Sequence, residues 1–389
     1  MKKWFAFLVI FSIGLFTWDC VNRQQSAREA SGKNETFSSV STITANDNVS
    51  VASRSSNTAA WPTTAWSESS PEKQNIDTGG LFKADKRIQE NYPNVYSLLV
   101  IRHGYLVYEK YYHGMNQNSA NPVYSVTKSV ISALTGIAIH EKLIQNVNQR
   151  ITDFLPEYFK AVDNPEKKDI TIANALTMTG GLRSVDNDFQ PYFSSPDWME
   201  YALKQPLTAK PGTKFEYNTG LPHFLSVIIS KTSGMNTKEF ADKYLFSKIG
   251  IHPVHWDQDS KGYYGGGFGL YLTPRDMAKF GYCYLNRGKW DGEPIIPEDW
   301  VRESLQKRVT IDKTVDYGYL FWLQKMWDPV TGTEHDTYRA DGAGGQKIIV
   351  VPDLDLIAVI TADERIASTM KDSAATEKII SDYVIPAVN

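Results

Sequence analysis

Residues 121–128 read Asn-Pro-Val-Tyr-Ser-Val-Thr-Lys, and apolar side chains recur at helical spacing from there on. The apolar positions are Val126, Val130, Leu134, Ile137 and Ala138. Ser125 therefore stands at the start of a predicted helix, and Lys128 lies one turn later on the same face. A lysine buried near the positive end of a helix holds its proton less tightly, so a neutral Lys128 amine can accept the proton of Ser125. The structural alternative is an N-cap serine followed by a solvated lysine.

The Ser-x-x-Lys spacing alone carries little information, because it occurs four times in this chain. The other three pairs are Ser70/Lys73, Ser304/Lys307 and Ser368/Lys371. Ser70 precedes a proline in a polar segment, and the remaining two serines lie in polar, surface-type helical stretches. Only the pair at Ser125 opens an apolar helix, which singles it out as the candidate nucleophile.

Strand patterns lie on both sides of the helical middle of the chain. Tyr96–Val100 and Tyr105–Tyr111 flank a glycine turn and predict a β-hairpin. Residues 347–351 and 356–361 flank Pro-Asp-Leu-Asp and predict a second one. Helical patterns occur between them, at about Pro222–Thr232, Thr237–Phe246 and Thr273–Leu285, and a last one covers roughly Ser368–Val384. These elements predict an α+β fold, with an antiparallel sheet formed by both termini, flanking helices and an inserted helical lobe.

Composition excludes several classes of function. The 389 residues are 42% apolar and carry a net charge of −3, which is typical of a packed globular protein and excludes wholesale disorder. The chain has no block of basic residues, so binding to nucleic acid is not expected. Nothing in the sequence implies a protein partner. The segment from His252 to Asp257 contains two histidines, but its proline argues against a helix that would bring both rings together, and no third histidine follows at ligand spacing, so we do not expect a metal site. We predict no metal and no cofactor, and a small molecule as the partner.

The N-terminus has the order of an export signal. Lys2 and Lys3 precede an almost wholly apolar run from Trp4 to Trp18, which as a helix would span roughly 22 Å, short of a bilayer core of roughly 30 Å. Cys20 follows as in a bacterial lipoprotein site, but the residues before it are not the small ones such sites have. Residues 1–20 are predicted to direct export to the periplasm or to a membrane anchor, and lipidation of Cys20 stays open.

The next segment is polar and is predicted to act as a tether. Residues 31–70 contain 11 Ser, 6 Thr and 4 Asn, which have little surface to bury. We therefore assign 21–70 as a linker and 71–389 as a single folded domain.

Further motifs lie in order along the predicted domain. They are Tyr-Ser-Val-Thr-Lys (124–128), Ala-Leu-Thr-Met-Thr-Gly-Gly-Leu (175–182), Pro-Gly-Thr-Lys-Phe-Glu-Tyr (211–217), Leu-Thr-Pro-Arg-Asp-Met-Ala (272–278), Tyr-Gly-Tyr (317–319) and Gly-Ala-Gly-Gly-Gln (342–346). With these motifs the chain resembles the penicillin-recognising serine hydrolases, which include class C β-lactamases, D-alanyl-D-alanine peptidases and related esterases and amidases. Within that group it is most similar in appearance to 6-aminohexanoate-dimer hydrolases. The resemblance implies a β-lactamase/transpeptidase-like fold and an acyl-enzyme mechanism on amides or esters.

The resemblance also implies roles for individual residues. Ser125 would form the acyl-enzyme, Lys128 would take its proton, and Tyr217 would share the acid–base work. The backbone N–H groups of Ser125 and Ala343 would form the oxyanion hole. The implied substrate-binding residues are Asn218, Asp341, Gly342 and Gly344.

Two family motifs are altered in this chain. The family's Tyr-x-Asn motif falls on Tyr217-Asn218-Thr219, where the asparagine comes one position early and a threonine takes its place. The alternative interpretation of Asn218 and Thr219 is the start of a helix. The family's Lys-Thr-Gly falls on Ala340-Asp341-Gly342, without the lysine that would hold a substrate carboxylate. The loss favours neutral or cationic amides and esters over β-lactams, although Arg339 could substitute.

Three alternatives stay open at this point. The chain could be a D-alanyl-D-alanine peptidase, a β-lactamase proper, or a non-catalytic penicillin-binding-type envelope protein. Ser184-Val185-Asp186-Asn187 is one residue longer than the Ser-Asp-Asn motif of class A β-lactamases, and we interpret it as a chance similarity.

Overall fold

The computed structural model of the protein describes residues 60–160, 162–367 and 376–389, and most of its strands form one large sheet. In chain order the strands are β1 (Val95–Arg102), β2 (Tyr105–Tyr111), β3 (Asn121–Pro122), β4 (His255–Trp256), β5 (Leu270–Leu272), β6 (Lys289–Trp290), β7 (Glu293–Pro294), β8 (Val309–Thr310), β9 (Val315–Tyr317), β10 (Trp322–Asp328), β11 (Thr333–Gly342), β12 (Gln346–Val351) and β13 (Leu356–Ala362). Both predicted hairpins are present, as β1–β2 and β12–β13.

Eight of these strands form one antiparallel sheet in the order β2-β1-β13-β12-β11-β10-β9-β8. The first and last strands of the chain are neighbours, with Leu98 opposite Ile360, so the predicted sheet built from both termini is confirmed. Strands β12 and β13 are buried along their whole length. Continuous burial is expected of strands covered on both faces, and it explains their unbroken apolar sequences.

Helices cover the two faces of the sheet. In chain order they are α1 (Thr78–Asn91), α2 (Val126–His140), α3 (Ile151–Phe154), α4 (Ile172–Leu176), α5 (Phe189–Phe193), α6 (Trp198–Lys204), α7 (Gly220–Ser233), α8 (Thr237–Ala241), α9 (Pro274–Leu285), α10 (Glu298–Ser304), α11 (Glu364–Ala367) and α12 (Thr376–Ile379). α1 packs with the C-terminal residues 379–388 on one face, and α2 and α9 pack on the other. Successive strand residues point to opposite faces, and each face thus has its own core.

The segment between β2 and β8 contains α2 to α10 and the small sheet β3-β5-β4, which is the predicted inserted helical lobe. A bidentate ion pair joins this lobe to the main sheet, because Arg275 on α9 contacts Glu109 on β2 at 2.6 and 2.7 Å. Of the last predicted helix, the structure describes α12 and a π-helical turn, Ile380–Val384. The part from Ser368 to residue 375 lies outside the described residues.

The N-terminal predictions fall mostly on residues that the structure does not describe. The export signal and the linker up to residue 59 are among them. Trp66 is 6% exposed and packs in the main core with Trp61, so packed structure begins before Pro71, where we expected it to start. Within the described ranges, none of the helices combines the length and the apolar character that crossing a membrane requires.

Candidate active site

The predicted nucleophile and its lysine are in contact at the start of α2. Ser125 precedes the helix with φ −72° and ψ −6°. Lys128 Nζ lies 2.7 Å from Ser125 Oγ, which is hydrogen-bond distance. The lysine is 2% exposed, whereas Ser125 is half-buried. The first turn of the helix therefore places a buried amine against a partly accessible hydroxyl.

The Ser125 hydroxyl does not cap the helix. Its Oγ makes no capping hydrogen bond to the backbone of the first turn, contrary to the structural alternative. Tyr124, just before it, has a φ of +46°, in the left-handed region that residues with a Cβ rarely adopt. Backbone conformations of this kind cost on the order of 1–3 kcal/mol and cluster at functional sites. The sharp turn ahead of Ser125 is thus a second indication of a functional site.

Two further oxygens hold the amine of Lys128. Nζ donates to the carbonyl oxygen of Gly267 at 2.7 Å and to Thr219 Oγ1 at 3.0 Å. Gly267 packs so closely on the start of α7 that a Cβ there would lie 2.5 Å from the carbonyl oxygen of Thr219. A glycine at position 267 lets the backbone approach both the helix and the lysine.

The segment that carries Gly267 is held by a buried histidine–carboxylate pair. His223 Nε2 lies 3.6 Å from Asp259 Oδ2, and both side chains are fully buried. Burial disfavours the charged form of Asp259, but His223 and the backbone N–H groups of Tyr263 and Trp198 outweigh it and hold the pKa of Asp259 below its usual range. His223 Nδ1 in turn accepts a hydrogen bond from the N–H of Gly266 at 3.4 Å.

Tyr217 approaches the same amine through its ring. Lys128 Nζ lies 4.9 Å from the ring centroid, within the range of a cation–π interaction. Tyr217 also stacks on Trp322 of β10, with centroids 5.9 Å apart and planes 22° apart. The preceding residue, Glu216, donates its N–H to the carbonyl of Met178 at 2.9 Å, which anchors the segment. The structure therefore brings the three predicted catalytic side chains together.

Asn218 points into the scaffold. Its Nδ2 donates to the carbonyls of Leu182 and Arg183, each at 3.3 Å, and its Oδ1 accepts from the N–H of Gly220 at 3.0 Å. The side chain is 1% exposed. These contacts tie the start of α7 to the neighbouring loop, whereas we expected Asn218 to bind substrate.

Thr219, one residue further on, has the hydroxyl that reaches the site. It accepts from Lys128 and donates to Asp186 Oδ1 at 2.6 Å. Asp186 Oδ2 also accepts the N–H of Thr219 at 2.7 Å. Asp186 was not among the predicted site residues, although it lies in Ser184-Val185-Asp186-Asn187, whose similarity to a class A β-lactamase motif could have indicated it. This segment contacts Thr219, which is itself a hydrogen-bond partner of Lys128.

Asp341 is bound by two cations of the protein itself. Arg339 Nε donates to it at 2.7 Å and Lys347 Nζ at 3.1 Å. Burial disfavours its charged form, but these two cations outweigh burial and hold the pKa of Asp341 below its usual range. Arg339 also contacts Glu377 at 3.3 Å and is 6% exposed. Both Arg339, the expected substitute for the family's lysine, and Asp341 are thus engaged within the fold.

The end of β11 lies against the segment that precedes Ser125. A Cβ on Gly342 would lie 2.3 Å from the carbonyl oxygen of Val123, so Ala343, the next residue, follows directly on this close contact. Gly344 has a φ of +76°, and a Cβ there would lie 2.5 Å from Cα of Glu364. The close approach that we expected Gly344 to make with a ligand is therefore made with Glu364.

The other Ser-x-x-Lys pairs do not form such a site in the described residues. Ser304 is buried, contrary to our expectation of a surface position, and donates to the carbonyl of Val301. Lys307 is exposed and pairs with Asp316 at 3.1 Å. The pair Ser368/Lys371 lies outside the described residues.

This arrangement of a serine, a buried lysine one helical turn later and a tyrosine over the amine agrees with the comparison with known families. The beta-lactamase family model matches residues 85–376, which is most of the chain. The chain belongs to the beta-lactamase family. The family's members are generally serine hydrolases, and the predicted fold is confirmed.

The chain is also similar to individual proteins whose sequences or structures are known. A 6-aminohexanoate-dimer hydrolase of Paenarthrobacter ureafaciens is 24% identical over 297 residues, which cover 71% of this chain and 74% of the relative. Among solved structures, a Bacillus anthracis protein named as a candidate 6-aminohexanoate-dimer hydrolase superposes with a TM-score of 0.68 at 20% identity, covering 84% of this chain and 88% of that one. A class C beta-lactamase superposes with a TM-score of 0.63 at 15% identity, covering 80% and 97% of the two chains. These structures share the fold of this chain.

Proposed function

We propose that this protein is an exported serine hydrolase that forms an acyl-enzyme on Ser125 with amide or ester substrates. The observation that carries the proposal is the 2.7 Å contact between Ser125 Oγ and the Nζ of the buried Lys128. Burial disfavours a charged amine, and a neutral lysine next to a serine hydroxyl is a general base in position to act. Membership of the beta-lactamase family supports the same assignment.

The reaction follows from this contact. Lys128 Nζ takes the proton of Ser125 as Oγ attacks the substrate carbonyl carbon, and the carbonyl electrons move onto the oxygen. The N–H groups of Ser125 and Ala343 would donate to this oxyanion. Collapse of the intermediate breaks the C–N or C–O bond, and the leaving group departs with a proton that comes from Lys128 directly, or from Tyr217, which Lys128 then reprotonates. The amine is neutral again in either case. A water then gives a proton to this amine as its oxygen attacks the acyl ester, and Lys128 returns that proton to Oγ as the acid is released and Ser125 is regenerated.

Tyr217 is placed to share these proton transfers. Once Lys128 is protonated, its positive charge lies 4.9 Å from the centre of the tyrosine ring. A neighbouring cation favours the ionised form of a phenol, so Tyr217 can give up its proton to the leaving group while the lysine is charged. Trp322 stacks on the ring and limits its movement.

The charges near the site favour neutral or cationic substrates. The position of the family's lysine is Ala340, which is buried and uncharged. Arg339 and Lys347 are both bound to Asp341 and are therefore not available for a substrate carboxylate. A charge-assisted hydrogen bond contributes roughly 1.5–3 kcal/mol, so its loss weakens binding of the carboxylate-bearing β-lactams. The similarity to a hydrolase of a linear amide is consistent with this preference.

The test is hydrolysis of p-nitrophenyl butyrate and of the linear 6-aminohexanoate dimer, with intact mass recorded during the reaction. We expect turnover, a transient acyl mass, and a loss of roughly 10⁴-fold in Ser125→Ala with unchanged thermal unfolding. Ser70→Ala is the matched control, because Ser70 belongs to a Ser-x-x-Lys pair outside the site, and it should behave as the wild type.

Other outcomes would identify the alternatives. Faster hydrolysis of a chromogenic cephalosporin than of the ester would identify a β-lactamase. Release of D-alanine from a peptidoglycan peptide would identify a cell-wall peptidase. A lasting adduct with a fluorophosphonate and no turnover would identify a non-catalytic binding protein.

Export is a separate part of the proposal and is supported by the sequence of residues 1–20. Cell fractionation should place the protein outside the cytoplasm, and deletion of residues 1–20 should retain it inside. Metabolic labelling with a fatty-acid analogue, beside Cys20→Ser, distinguishes a lipid anchor from a cleaved signal. Label that persists in the variant, or is absent from both proteins, would exclude lipidation at Cys20.

A further inference from the structure

A hydrogen-bonded chain leads away from the nucleophile on the far side of the lysine. Lys128 Nζ donates to Thr219 Oγ1 at 3.0 Å, and Thr219 donates its own hydroxyl proton to Asp186 Oδ1 at 2.6 Å. Asp186 is held in turn, because it accepts the N–H of Thr219 at 2.7 Å and the hydroxyl of Ser184 at 3.1 Å. The carboxylate can only accept these bonds, so the direction of the whole chain is determined by Asp186.

We propose that Asp186 is a positioning residue that orients the amine of Lys128 through the hydroxyl of Thr219. A threonine hydroxyl can either donate to the lysine or accept from it. The carboxylate of Asp186 takes the only hydroxyl proton of Thr219, and the oxygen of Thr219 then faces the lysine as an acceptor. The proposal rests on the function proposed above, in which a neutral Lys128 accepts the proton of Ser125.

The consequence for a neutral amine is geometric. Such an amine has two N–H bonds and one lone pair. Gly267 offers a carbonyl oxygen, which can only accept, and Thr219 offers an oxygen that Asp186 has made an acceptor. With both N–H bonds directed to these two oxygens, the lone pair points away from them, to the side of the amine where Ser125 Oγ lies at 2.7 Å.

The first test compares Asp186→Asn with the wild type in acylation by p-nitrophenyl butyrate. An asparagine can turn its amide donors to Thr219, whose proton is then free to point at the lysine lone pair. We expect kcat to fall roughly 10- to 100-fold, the cost of a misoriented catalytic group, with KM within about twofold because Asp186 does not act on the substrate itself. Asp188→Asn makes the same chemical change at an exposed position on the same turn and should behave as the wild type.

A double-mutant cycle separates positioning from a purely structural role. Thr219→Val removes the hydroxyl but keeps the shape of the side chain, and it should cost about as much kcat as Asp186→Asn. Because Asp186 acts through that hydroxyl, adding Asp186→Asn to Thr219→Val should lower kcat by less than about threefold more. Thr219→Ser keeps the hydroxyl and should retain most of the wild-type kcat.

The outcomes are distinct from failure of the proposed function. If the wild type has no turnover and forms no adduct with a fluorophosphonate, the hydrolase assignment itself fails. If the wild type is active and Asp186→Asn matches it, or if the losses from Asp186→Asn and Thr219→Val multiply, Asp186 does not position the lysine. A fall in thermal stability that parallels the loss of kcat across all the variants would also overturn the proposal, since it would reduce Asp186 to an anchor of its loop.

Discussion

The carbonyl oxygen of Gly267 accepts a hydrogen bond from Lys128 Nζ over 2.7 Å, although 139 positions separate the two residues in the sequence. A carbonyl oxygen cannot donate, so this bond holds an N–H of the amine in both its protonation states. It connects the first turn of α2 to a glycine-rich segment far along the chain. The position of the candidate base therefore depends on the backbone of two distant segments.

Gly267→Ala should impair both the site and the fold. A Cβ at this position would lie 2.5 Å from the carbonyl oxygen and 2.6 Å from Cγ2 of Thr219, so the segment must shift away from the lysine. We expect kcat to fall by roughly tenfold or more and the protein to lose about 1–3 kcal/mol of stability by overpacking. Steady-state kinetics and urea unfolding would measure the two effects. Gly79→Ala, in the first turn of α1, is the control, and equal losses in both variants would contradict the prediction.

Trp322 should be needed for the position of Tyr217. The two rings stack with their planes 22° apart, and Trp322 also packs edge-on against Tyr317 with centroids 4.8 Å apart. Trp322→Ala removes one wall of the tyrosine, and we expect a loss of roughly tenfold in kcat and about 2–3 kcal/mol in stability. Trp322→Phe keeps an aromatic surface and should retain most of the activity. A wild-type kcat in the alanine variant would show that Tyr217 is positioned without Trp322.

Lys128→Met should abolish catalysis without unfolding the protein. Methionine has nearly the same length as lysine and is tolerated in buried positions, but it offers no base to Ser125. We expect kcat to fall by about 10²–10⁴-fold, the usual contribution of a general base. Hydrolysis of p-nitrophenyl butyrate measures the loss, and thermal unfolding checks the fold. Lys279→Met, a second buried lysine whose amine contacts the carbonyl of Gly250, serves as the control and should keep its activity.

The elements that could be predicted from the sequence are those whose signals are local. The β12–β13 hairpin follows from two β-branched runs around Pro352 and Asp355, and the Ser125–Lys128 pair follows from the geometry of a single helical turn. In both cases the interacting residues are close in the chain, so backbone periodicity is sufficient to place them.

The parts that were missed depend on contacts between distant segments. Asp186 meets Thr219 from 33 positions away, and no periodicity in either segment indicates that pairing. Asp341 was expected to face the substrate, but the register of the β11–β12 pair places Lys347 directly opposite it. A one-residue change of that register would turn the lysine to the other face of the sheet. The family's Lys-Thr-Gly motif thus located Asp341 along the chain, but it could not predict that Asp341 binds Lys347.

Cys283 should be unreactive in the native protein. It is fully buried, and burial raises the pKa of its thiol well above the usual range, so very little thiolate is present at neutral pH. In a Cys20→Ser protein, we expect no reaction with an aromatic disulfide reagent under native conditions and one thiol per chain in urea. Rapid native labelling would contradict the burial of this part of α9.

The ion pairs of Asp341 should stabilise the fold in a way that depends on pH. Its pKa in the folded state lies below the usual value of 3.8, because Arg339 and Lys347 favour the carboxylate despite its burial. A lowered pKa adds stability that is complete above the unfolded value and is lost as the pH falls through the folded value. Asp341→Asn should therefore be less stable than the wild type by about 2–4 kcal/mol at pH 7, the cost of leaving buried cations without their partner.

The same comparison at pH 3 and below tests the sign of the effect. As Asp341 becomes protonated in the wild type, the gap between the two proteins in urea unfolding should narrow steadily. Asp336→Asn, at an exposed position on the same strand, controls for the general effect of removing a carboxylate and should change stability by less than about 0.5 kcal/mol at either pH. A gap that stays constant from pH 7 to pH 2 would mean that Asp341 stabilises β11 through its shape and hydrogen bonds rather than through its charge.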